Sequence, residues 1–460
     1  MKLENLRTLF NPESVAVVGA TENQKKMGCH AIISVMESFK GKIYPVNPTR
    51  DQIFGLKAYP DPDSIPETPD LAILAIPRDH IYDTVRKFID RGTRAFVIIT
   101  AGFREAEISD GQELHERLKN LVESANAAVI GPNTFGMTDL RSGINASFTP
   151  ALFQVRKGDI ALISQSGGIC HLLVPYALRH GIGFSKIVGL GNRLNVDFPE
   201  MLEYLAHDEN TKSIALYIEG VENPKDMLQK IREVHVKKPV VAMKAGRFEK
   251  ADKASRSHTG SMAGNYRIYV SALKQYGAVI AETLEELISY AKALSMQRPL
   301  HGDRIAVISL VAGLGMVASD TCELVGLRMA EFTEKTKERL YEILPPYTIR
   351  DNPVDLGFVA NDPDVCGEVI EIVADDERVD GIVVNYIYSW SGNFLEVPAD
   401  SIINAAGKKP LTACINYPPD IWDEVKIKLE ENGVPVYATP EIAVRSLKAL
   451  RDYGKLLSRE

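Results

Sequence analysis

The sequence predicts an α/β protein made of doubly wound parallel sheets. Short, continuous apolar runs alternate with amphipathic helical stretches, and Gly, Pro, Asn or Thr residues bound most of the runs. Continuous apolar strands joined by helices are typical of parallel sheets that carry helices on both faces. The length of 460 residues adds an expectation of about three domains.

The first predicted unit covers residues 1–145. Its strands are expected at Ser14–Val18, Lys42–Val46, Leu71–Ile76, Ala95–Thr100 and Ala127–Ile130. Its helices are expected at Asp79–Arg91 and Ser109–Ser124, with Pro77 and Gly92 marking boundaries.

The second predicted unit covers residues 146–298 and the third covers residues 299–460. The second contains expected strands at Asp159–Ser164, Phe184–Leu190, Ser213–Ile218 and Pro239–Lys244, and helices at Ile169–His180, Asp197–His207, Pro224–Val236 and Gly264–Tyr276. The third contains expected strands at Arg304–Ser309, Val379–Tyr386 and Leu411–Asn416, and helices at Gly313–Val325 and Glu441–Leu457. In each unit a strand runs into a glycine-bearing turn and then a helix, which predicts three modules. Duplication and independent recurrence of this common pattern both remain open.

Composition and charge exclude several classes of protein. Hydrophobic residues make up 45% of the chain, which argues against a largely disordered protein. The net charge of −8 and the absence of a dense basic cluster argue against a nucleic-acid partner. The longest apolar runs are strand-sized, so no membrane span is expected. The polar N-terminus and five cysteines without a CxxC pair predict a reducing cytoplasm, with no disulfide framework and no metal site.

Five loops of the first unit follow strand ends, where open α/β sheets bind their ligands. They are Gly19-Ala20-Thr21, Asn47-Pro48, Ile76-Pro77, Thr100-Ala101-Gly102 and Gly131-Pro132-Asn133. Glycines let the backbone approach a phosphate, but the first loop has neither GxGxxG nor GxxxxGK[ST]. A nucleotide site and a plain turn therefore both remain open for that loop alone. Asn47 stands where an NAD-binding protein needs a carboxylate, which disfavours a nicotinamide-dependent oxidoreductase.

A sharper signal is the run Ser164-Gln165-Ser166-Gly167-Gly168, which ends a strand and opens a helix. Small residues expose backbone N–H groups at a helix N-terminus, where the helix dipole attracts an anion. A serine-capped helix is the alternative. The two consecutive glycines favour close approach by a ligand, because they are poor helix formers.

One histidine and one carboxylate complete the candidate site. His258 lies among small and hydroxyl-bearing residues, and a neutral imidazole can act as a nucleophile toward phosphorus. Glu219 follows a strand at the ligand edge and could orient that imidazole. His171 is a rival nucleophile, because it lies close to the anion-binding run in sequence. Asp197 is interpreted as a helix cap, and His80, His115, His207 and His235 are expected at the surface.

These motifs together resemble the α subunit of nucleoside-diphosphate-forming acyl-CoA synthetases, which are relatives of succinyl-CoA synthetase; the ADP-forming acetyl-CoA synthetases are the nearest match. The resemblance covers essentially the whole chain. It is carried by Ser14–Ala20, Tyr44–Pro48, Ala75–Pro77, Gly131–Asn133, Ser164–Gly168, Gly191-Asn192, Tyr217–Gly220, Ser257–Ser261, Asn352–Leu356 and Ala438–Glu441.

The resemblance implies a Rossmann-like CoA-binding domain at 1–145, a flavodoxin-like domain with a phosphohistidine loop at 146–298 and a second flavodoxin-like ligase domain at 299–460. It implies that phosphate converts acyl-CoA to an acyl phosphate and CoA, that His258 takes the phosphoryl group, and that ADP receives it to give ATP. Glu219 would stabilise His258, and the phosphate-binding residues would be Ser164, Gln165, Ser166, Gly167 and Gly168. The CoA-binding residues would be Gly19, Ala20, Thr21, Asn47, Pro48, Ile76, Pro77 and Asn133.

Two departures from the family pattern shape the remaining expectations. No segment resembles an ATP-grasp domain, so a separate ATP-grasp β subunit is expected to bind most of the ADP or ATP with Mg²⁺ in a hetero-oligomer. The third unit has Val311-Ala312-Gly313-Leu314-Gly315 in place of a Gly-Gly-Pro-Gly turn, which favours a packing role for that turn. A non-catalytic CoA-binding or regulatory protein is the alternative function, and the acyl group, the choice between ADP and GDP and the stoichiometry stay open.

Overall fold

A computed structural model describes residues 3–106, 110–248, 266–388, 396–418 and 421–459. The chain forms two compact units, Met1–Ile280 and Ala281–Glu460. The predicted α/β class is confirmed, because helices alternate with mainly parallel strands in both units. The three-domain division stays a prediction.

The first sheet of unit 1 has five parallel strands in the order β2-β1-β5-β6-β7. Its elements are α1 Leu3–Phe10, β1 Ser14–Val18, α2 Met27–Ser38, β2 Lys42–Val46, the short pair β3 Gln52–Ile53 and β4 Leu56–Lys57, β5 Leu71–Leu74, α3 Ile81–Arg91, β6 Ala95–Ile98, α4 Gly111–Ser124 and β7 Ala128–Ile130. Every residue of β1, β5, β6 and β7 is buried, as expected for strands covered on both faces.

The second sheet of unit 1 has seven strands in the order β14-β13-β12-β10-β11-β8-β9. Its elements are β8 Gly136–Asp139, β9 Ile144–Ser147, β10 Lys157–Ser164, α5 Gly167–His180, β11 Phe184–Gly189, α6 Phe198–Ala206, β12 Ser213–Ile218, α7 Pro224–His235, β13 Val240–Lys244, α8 Tyr266–Gln275 and β14 Ala278–Ile280. The hairpin β8–β9 follows the first sheet in the chain, yet β8 pairs antiparallel with β11. Strands that follow the first sheet therefore complete the second.

Unit 2 contains one sheet in the order β16-β15-β18-β19-β20, with β17 also paired to β15. Its elements are α9 Leu284–Met296, β15 Arg304–Ser309, α10 Ala312–Leu324, β16 Arg328–Met329, α11 Glu334–Ile343, β17 Val354–Asp355, α12 Pro363–Asp375, β18 Gly381–Ile387, α13 Ala399–Lys408, β19 Leu411–Asn416, α14 Asp423–Glu431, β20 Val436–Tyr437 and α15 Pro440–Leu457. A Cβ on Gly315 would lie 3.3 Å from the Cβ of Ser309, so this glycine packs closely against β15.

Two of the histidines expected at the surface are buried, and that expectation was wrong for them. His115 and His235 are each 2% exposed. His115 shares its helix face with Gly111 and Leu118, and this helical spacing indicates a buried face. The many charged residues between these positions make the segment look exposed in the sequence. Asp197 is confirmed as a cap, since its carboxylate accepts from the Phe198 N–H at 2.8 Å. Among the described residues, no helix combines the length and apolar character that a bilayer crossing requires.

Candidate active-site cavity

A cavity of about 1340 Å³ opens in unit 1 at the carboxyl ends of β1, β2, β5 and β6. Its far wall is the start of α5 in the second sheet. Small-molecule pockets usually enclose roughly 300–1,000 Å³, so the cavity has room for a large, extended ligand. Its position at strand ends follows the general rule for open α/β sheets.

Seven of the eight residues predicted to bind the cofactor line this cavity. They are Gly19, Thr21, Asn47, Pro48, Ile76, Pro77 and Asn133. The eighth, Ala20, is fully buried, and its carbonyl accepts from the Asn47 Nδ2 at 2.8 Å. Ala20 therefore ties the first loop to the second.

Close packing explains why residue 19 is a glycine, in addition to its position in the cavity wall. Its φ is +85°, and an added Cβ would lie 2.4 Å from the Ala75 carbonyl oxygen. A Cβ on Gly28 would lie 2.0 Å from the Gly19 carbonyl oxygen. Gly28 allows α2 to pack directly against the loop that precedes it, and Gly19 allows that loop to approach the chain that follows β5.

The predicted phosphate turn lies at the other side of the same cavity. Ser166, Gly167 and Gly168 line it. The Ser164 hydroxyl donates to the Ser166 carbonyl at 3.0 Å and accepts from the Ser166 N–H at 3.1 Å, so it shapes the turn. The Ser166 hydroxyl makes no capping hydrogen bond to α5.

The start of α5 supplies backbone donors at this point. The N–H groups of a helix's first turn have no intrahelical acceptor, and here they belong to Gly167, Gly168 and Ile169. Among the described residues, an added Cβ on Gly168 would meet only the Ser166 Oγ, at 3.8 Å. Neither packing nor a positive φ explains Gly168, so its smallness keeps the approach to these N–H groups open.

Gln165 also lines the cavity, but its polar atoms are bound to the protein. Its Oε1 accepts from the backbone N–H groups of Glu219 and, at 2.9 Å, Gly220. Its Nε2 donates to the Gly220 carbonyl at 2.7 Å, and its own N–H donates to the Tyr217 carbonyl at 3.2 Å. Gln165 thus joins the phosphate turn to the loop that carries Glu219.

Glu219 directly follows β12, as the sequence predicted. Strand β13 lies beside β12, with Ile218 paired to Lys244, and the Ala245 N–H donates to the Ile218 carbonyl at 2.8 Å. The chain segment toward His258 therefore leaves the sheet edge next to Glu219. His258 itself lies outside the described residues.

An aromatic compartment that the sequence reasoning did not identify lies beside the turn. The His171 ring lies 5.0 Å, between ring centroids, from both Phe135 and Phe148. Its Nδ1 is 3.3 Å from the Thr149 Oγ1, and burial lowers the pKa of His171. Both phenylalanines line the cavity. The spacing of four residues between Gly167 and His171, which places them on one helix face, was the available signal.

The sequence reasoning also missed Arg193, whose buried side chain holds the loop that follows β12. It is a non-glycine residue with φ of +54°, and its side chain is 1% exposed. Its Nη1 donates to the Asp197 Oδ2 at 3.1 Å and to the Gly220 carbonyl at 3.2 Å. The Gly220 carbonyl is therefore held by both Arg193 and Gln165.

Comparisons with known proteins agree with this arrangement. A model described as a CoA binding domain matches residues 13–139, and one described as a succinyl-CoA ligase like flavodoxin domain matches residues 157–294. The acetate–CoA ligase [ADP-forming] II subunit alpha of Pyrococcus furiosus is 35% identical over 97% of this chain and 97% of its own. The acetate–CoA ligase [ADP-forming] I of Archaeoglobus fulgidus is 34% identical over 99% of this chain and 64% of its own.

A solved structure extends the likeness to three dimensions. The dinucleotide forming acetyl-coenzyme A synthetase 1 of Ca. Korarchaeum cryptofilum, in complex with phosphate and ADP, is 32% identical and superposes with a TM-score of 0.87 over 98% of this chain and 97% of that one. The chain therefore belongs to the family of ADP-forming acetate–CoA ligases.

Proposed function

We propose that this chain is the α subunit of an ADP-forming acyl-CoA synthetase. It converts acyl-CoA, ADP and phosphate reversibly to acid, ATP and CoA through an acyl phosphate and a phosphohistidine at His258. The observation that carries the proposal is one cavity in unit 1 that is lined both by the predicted CoA-binding loops and by the glycine-rich start of α5. A non-catalytic CoA-binding protein is disfavoured, because the relatives that match over their full length are ligases.

The reaction has three balanced steps. A phosphate oxygen attacks the thioester carbonyl carbon, the C–S bond breaks, and the thiolate takes a proton to give CoA. An imidazole nitrogen of His258 then forms a bond to phosphorus as the bond to the carboxyl oxygen breaks, which releases the carboxylate. Finally a β-phosphate oxygen of ADP takes the phosphoryl group, which gives ATP and restores the imidazole.

The cavity fits CoA by size, and its wall carries cationic side chains. Its volume exceeds the usual range for small ligands, and Lys26 and Lys87 lie in its wall beside the first sheet, together with the carboxylates of Asp61 and Asp83. Cationic side chains and loop backbone at strand ends suit the phosphates of a coenzyme. The thioester end would then lie near Asn133 and Ser166, where the two sheets meet the same cavity.

The turn and the first N–H groups of α5 suit inorganic phosphate and the acyl phosphate. Oriented backbone donors stabilise phosphoryl charge without reorganising during the reaction. In this scheme the Glu219 carboxylate orients the imidazole of His258 and stabilises its positive charge; Glu219 follows β12, and the neighbouring β13 precedes His258 in the chain. The neutral His171 ring, held between Phe135 and Phe148, would contact the acyl group in this scheme.

A separate β subunit with an ATP-grasp domain would bind ADP or ATP with Mg²⁺. The relative from Archaeoglobus fulgidus supports this division, because this chain matches 64% of its length and about a third of that protein is additional. Co-expression with a candidate ATP-grasp subunit, followed by a screen of acyl-CoAs, tests the proposal. We expect CoA release that depends on phosphate and on ADP, and phosphate label at His258. CoA binding without either would support the non-catalytic alternative.

A further inference from the structure

We infer that Gln165 is a positioning residue rather than a phosphate ligand: it fixes the loop of Glu219 against the turn that receives phosphate. The inference rests on the proposed function, since Glu219 and the turn take their roles from it. Gln165 is 5% exposed although it borders the cavity. Its place in an otherwise phosphate-binding turn had suggested direct contact with the anion.

Both polar atoms of the Gln165 side chain already form hydrogen bonds with the protein backbone. The Oε1 accepts from two adjacent backbone N–H groups, those of Glu219 and Gly220. The Nε2 donates to the Gly220 carbonyl at 2.7 Å, and the main-chain N–H donates to the Tyr217 carbonyl. An anion can therefore meet only the second N–H of Nε2, because the first donates to Gly220 and the Oε1 is an acceptor that already holds two N–H groups.

The Gln165 amide holds Gly220 through both of the peptide groups that flank its Cα. Gln165 contacts both the N–H and the C=O of Gly220, and Arg193 reaches the same C=O at 3.2 Å. A backbone held in this way cannot shift relative to β10 without losing several buried hydrogen bonds. The Glu219 backbone consequently keeps a fixed relation to the donors of Gly167 and Gly168.

The position of Glu219 relative to the turn matters for the transfer of the phosphoryl group. The phosphoryl group has to pass between the turn, which stabilises its charge, and the imidazole, which Glu219 orients. A misplacement of about 1 Å in such an arrangement can cost roughly 100-fold in rate. Gln165 therefore acts on the transfer step through Glu219 and leaves the affinity for phosphate nearly unchanged.

The test uses the complete complex with the β subunit and compares Gln165→Met, Gln165→Glu and the exposed control Gln229→Met. Transfer is followed as single-turnover labelling of His258 from radiolabelled ATP, and the KM for inorganic phosphate is measured in the steady state. We expect Gln165→Met to slow labelling roughly 10- to 100-fold with the phosphate KM within about twofold of wild type. Gln165→Glu keeps the acceptor for both N–H groups and should lie between Met and wild type, and the control should match wild type.

A double-mutant comparison completes the test. In a Glu219→Gln background, Gln165→Met should slow labelling by less than about threefold, because both substitutions affect one interaction. A raised phosphate KM at an unchanged labelling rate, or effects that multiply in the double variant, would overturn the inference. If Gln165→Met does not fold, as judged by thermal unfolding, Gln165→Glu supports the same comparison. No label on wild-type His258 would overturn the proposed function, and this inference with it, whereas full-rate label in every Gln165 variant would overturn the inference alone.

Discussion

Replacement of Gly168 by alanine tests the proposed phosphate binding at the Ser164–Gly168 turn separately from the contribution of that turn to the stability of the fold. Within the part of the chain that the structure describes, the added methyl group would meet only the Ser166 Oγ, at 3.8 Å, and otherwise stand in the cavity. Alanine is favoured over glycine inside a helix by roughly 0.5–1 kcal/mol, so the folded state should lose no stability. We expect the melting temperature to stay within about 3 °C of wild type or to rise.

Phosphate should bind more weakly, because the methyl group stands at the approach to the first N–H groups of α5. Loss of one hydrogen bond to a charged group costs about 1.5–3 kcal/mol, which corresponds to roughly a 10- to 150-fold rise in the phosphate KM. The assay is phosphate-dependent CoA release by the complex with the β subunit.

Two further glycines serve as controls for this experiment. Gly407→Ala changes a helical glycine in unit 2 whose added Cβ has none of the described residues within 4 Å, so it should leave the phosphate KM unchanged and keep or slightly raise the melting temperature. Gly19→Ala should lower stability by at least about 1–2 kcal/mol, because Gly19 has a φ of +85° and its Cβ would clash with the Ala75 carbonyl. A folded Gly168→Ala enzyme with the wild-type phosphate KM would refute the placement of phosphate at this turn.

Three further predictions concern the carboxylate, a buried histidine and a buried ion pair. Glu219→Gln should slow labelling of His258 roughly 10- to 100-fold, although the backbone N–H of residue 219 still donates to Gln165. The exposed Glu203→Gln is the control, and unchanged labelling in Glu219→Gln would contradict the role of Glu219. Burial, and to a smaller extent the charge of Arg104, lowers the pKa of His115 to about 4. The folded protein therefore binds fewer protons than the unfolded chain between about pH 6.5 and 4, and it should lose roughly 3 kcal/mol of stability as the pH falls through that range. Urea unfolding across that pH range measures this loss, which His115→Phe should reduce; an unchanged pH dependence would contradict it. Lys186 is buried between Asp139 at 3.0 Å and Asp208 at 2.6 Å, so Lys186→Met should cost about 3–5 kcal/mol in urea unfolding, whereas exposed Lys212→Met should cost less than about 1. Equal losses in the two lysine variants would contradict the importance of burial.

The strands and the loops at their ends were predictable because a strand buried on both faces has a distinct sequence pattern. Ser14–Val18, Lys42–Val46, Ser213–Ile218, Arg304–Ser309 and Leu411–Asn416 have the predicted bounds. Their topology places the following loops at one edge, which explains why seven predicted cofactor residues share a cavity. Regular periodicity and the direction of parallel strands were sufficient for this part.

The hairpin β8–β9 was not predictable by the same means. Its strands read Gly-Met-Thr-Asp and Ile-Asn-Ala-Ser, which lack both a continuous apolar run and a clear alternation. All eight residues are nevertheless buried, because neighbouring elements cover them and β8 pairs with β11. Tertiary contacts therefore decide the structure of this segment.

Side-chain direction was the other limit at the candidate site. The sequence placed Gln165 in the turn but could not show that its amide binds the backbone of Glu219 and Gly220. It likewise could not bring Phe148 to His171, since that contact depends on the path of the chain after β9. Contacts of this kind arise from the packing of distant segments, which no local pattern encodes.

Because residues 136–147 complete the second sheet directly after the first, the two sheets of unit 1 cannot be exchanged freely between relatives. In a chimera joined after Ser147, the hairpin β8–β9 would come from one parent and would have to fit the β11 edge of a sheet from the other parent. Recombination across this junction should therefore conserve β8, β9 and β11 together. Shuffled libraries cut at Pro132, which precedes β8, preserve this inherited block and should yield more folded progeny than libraries cut after Ser147.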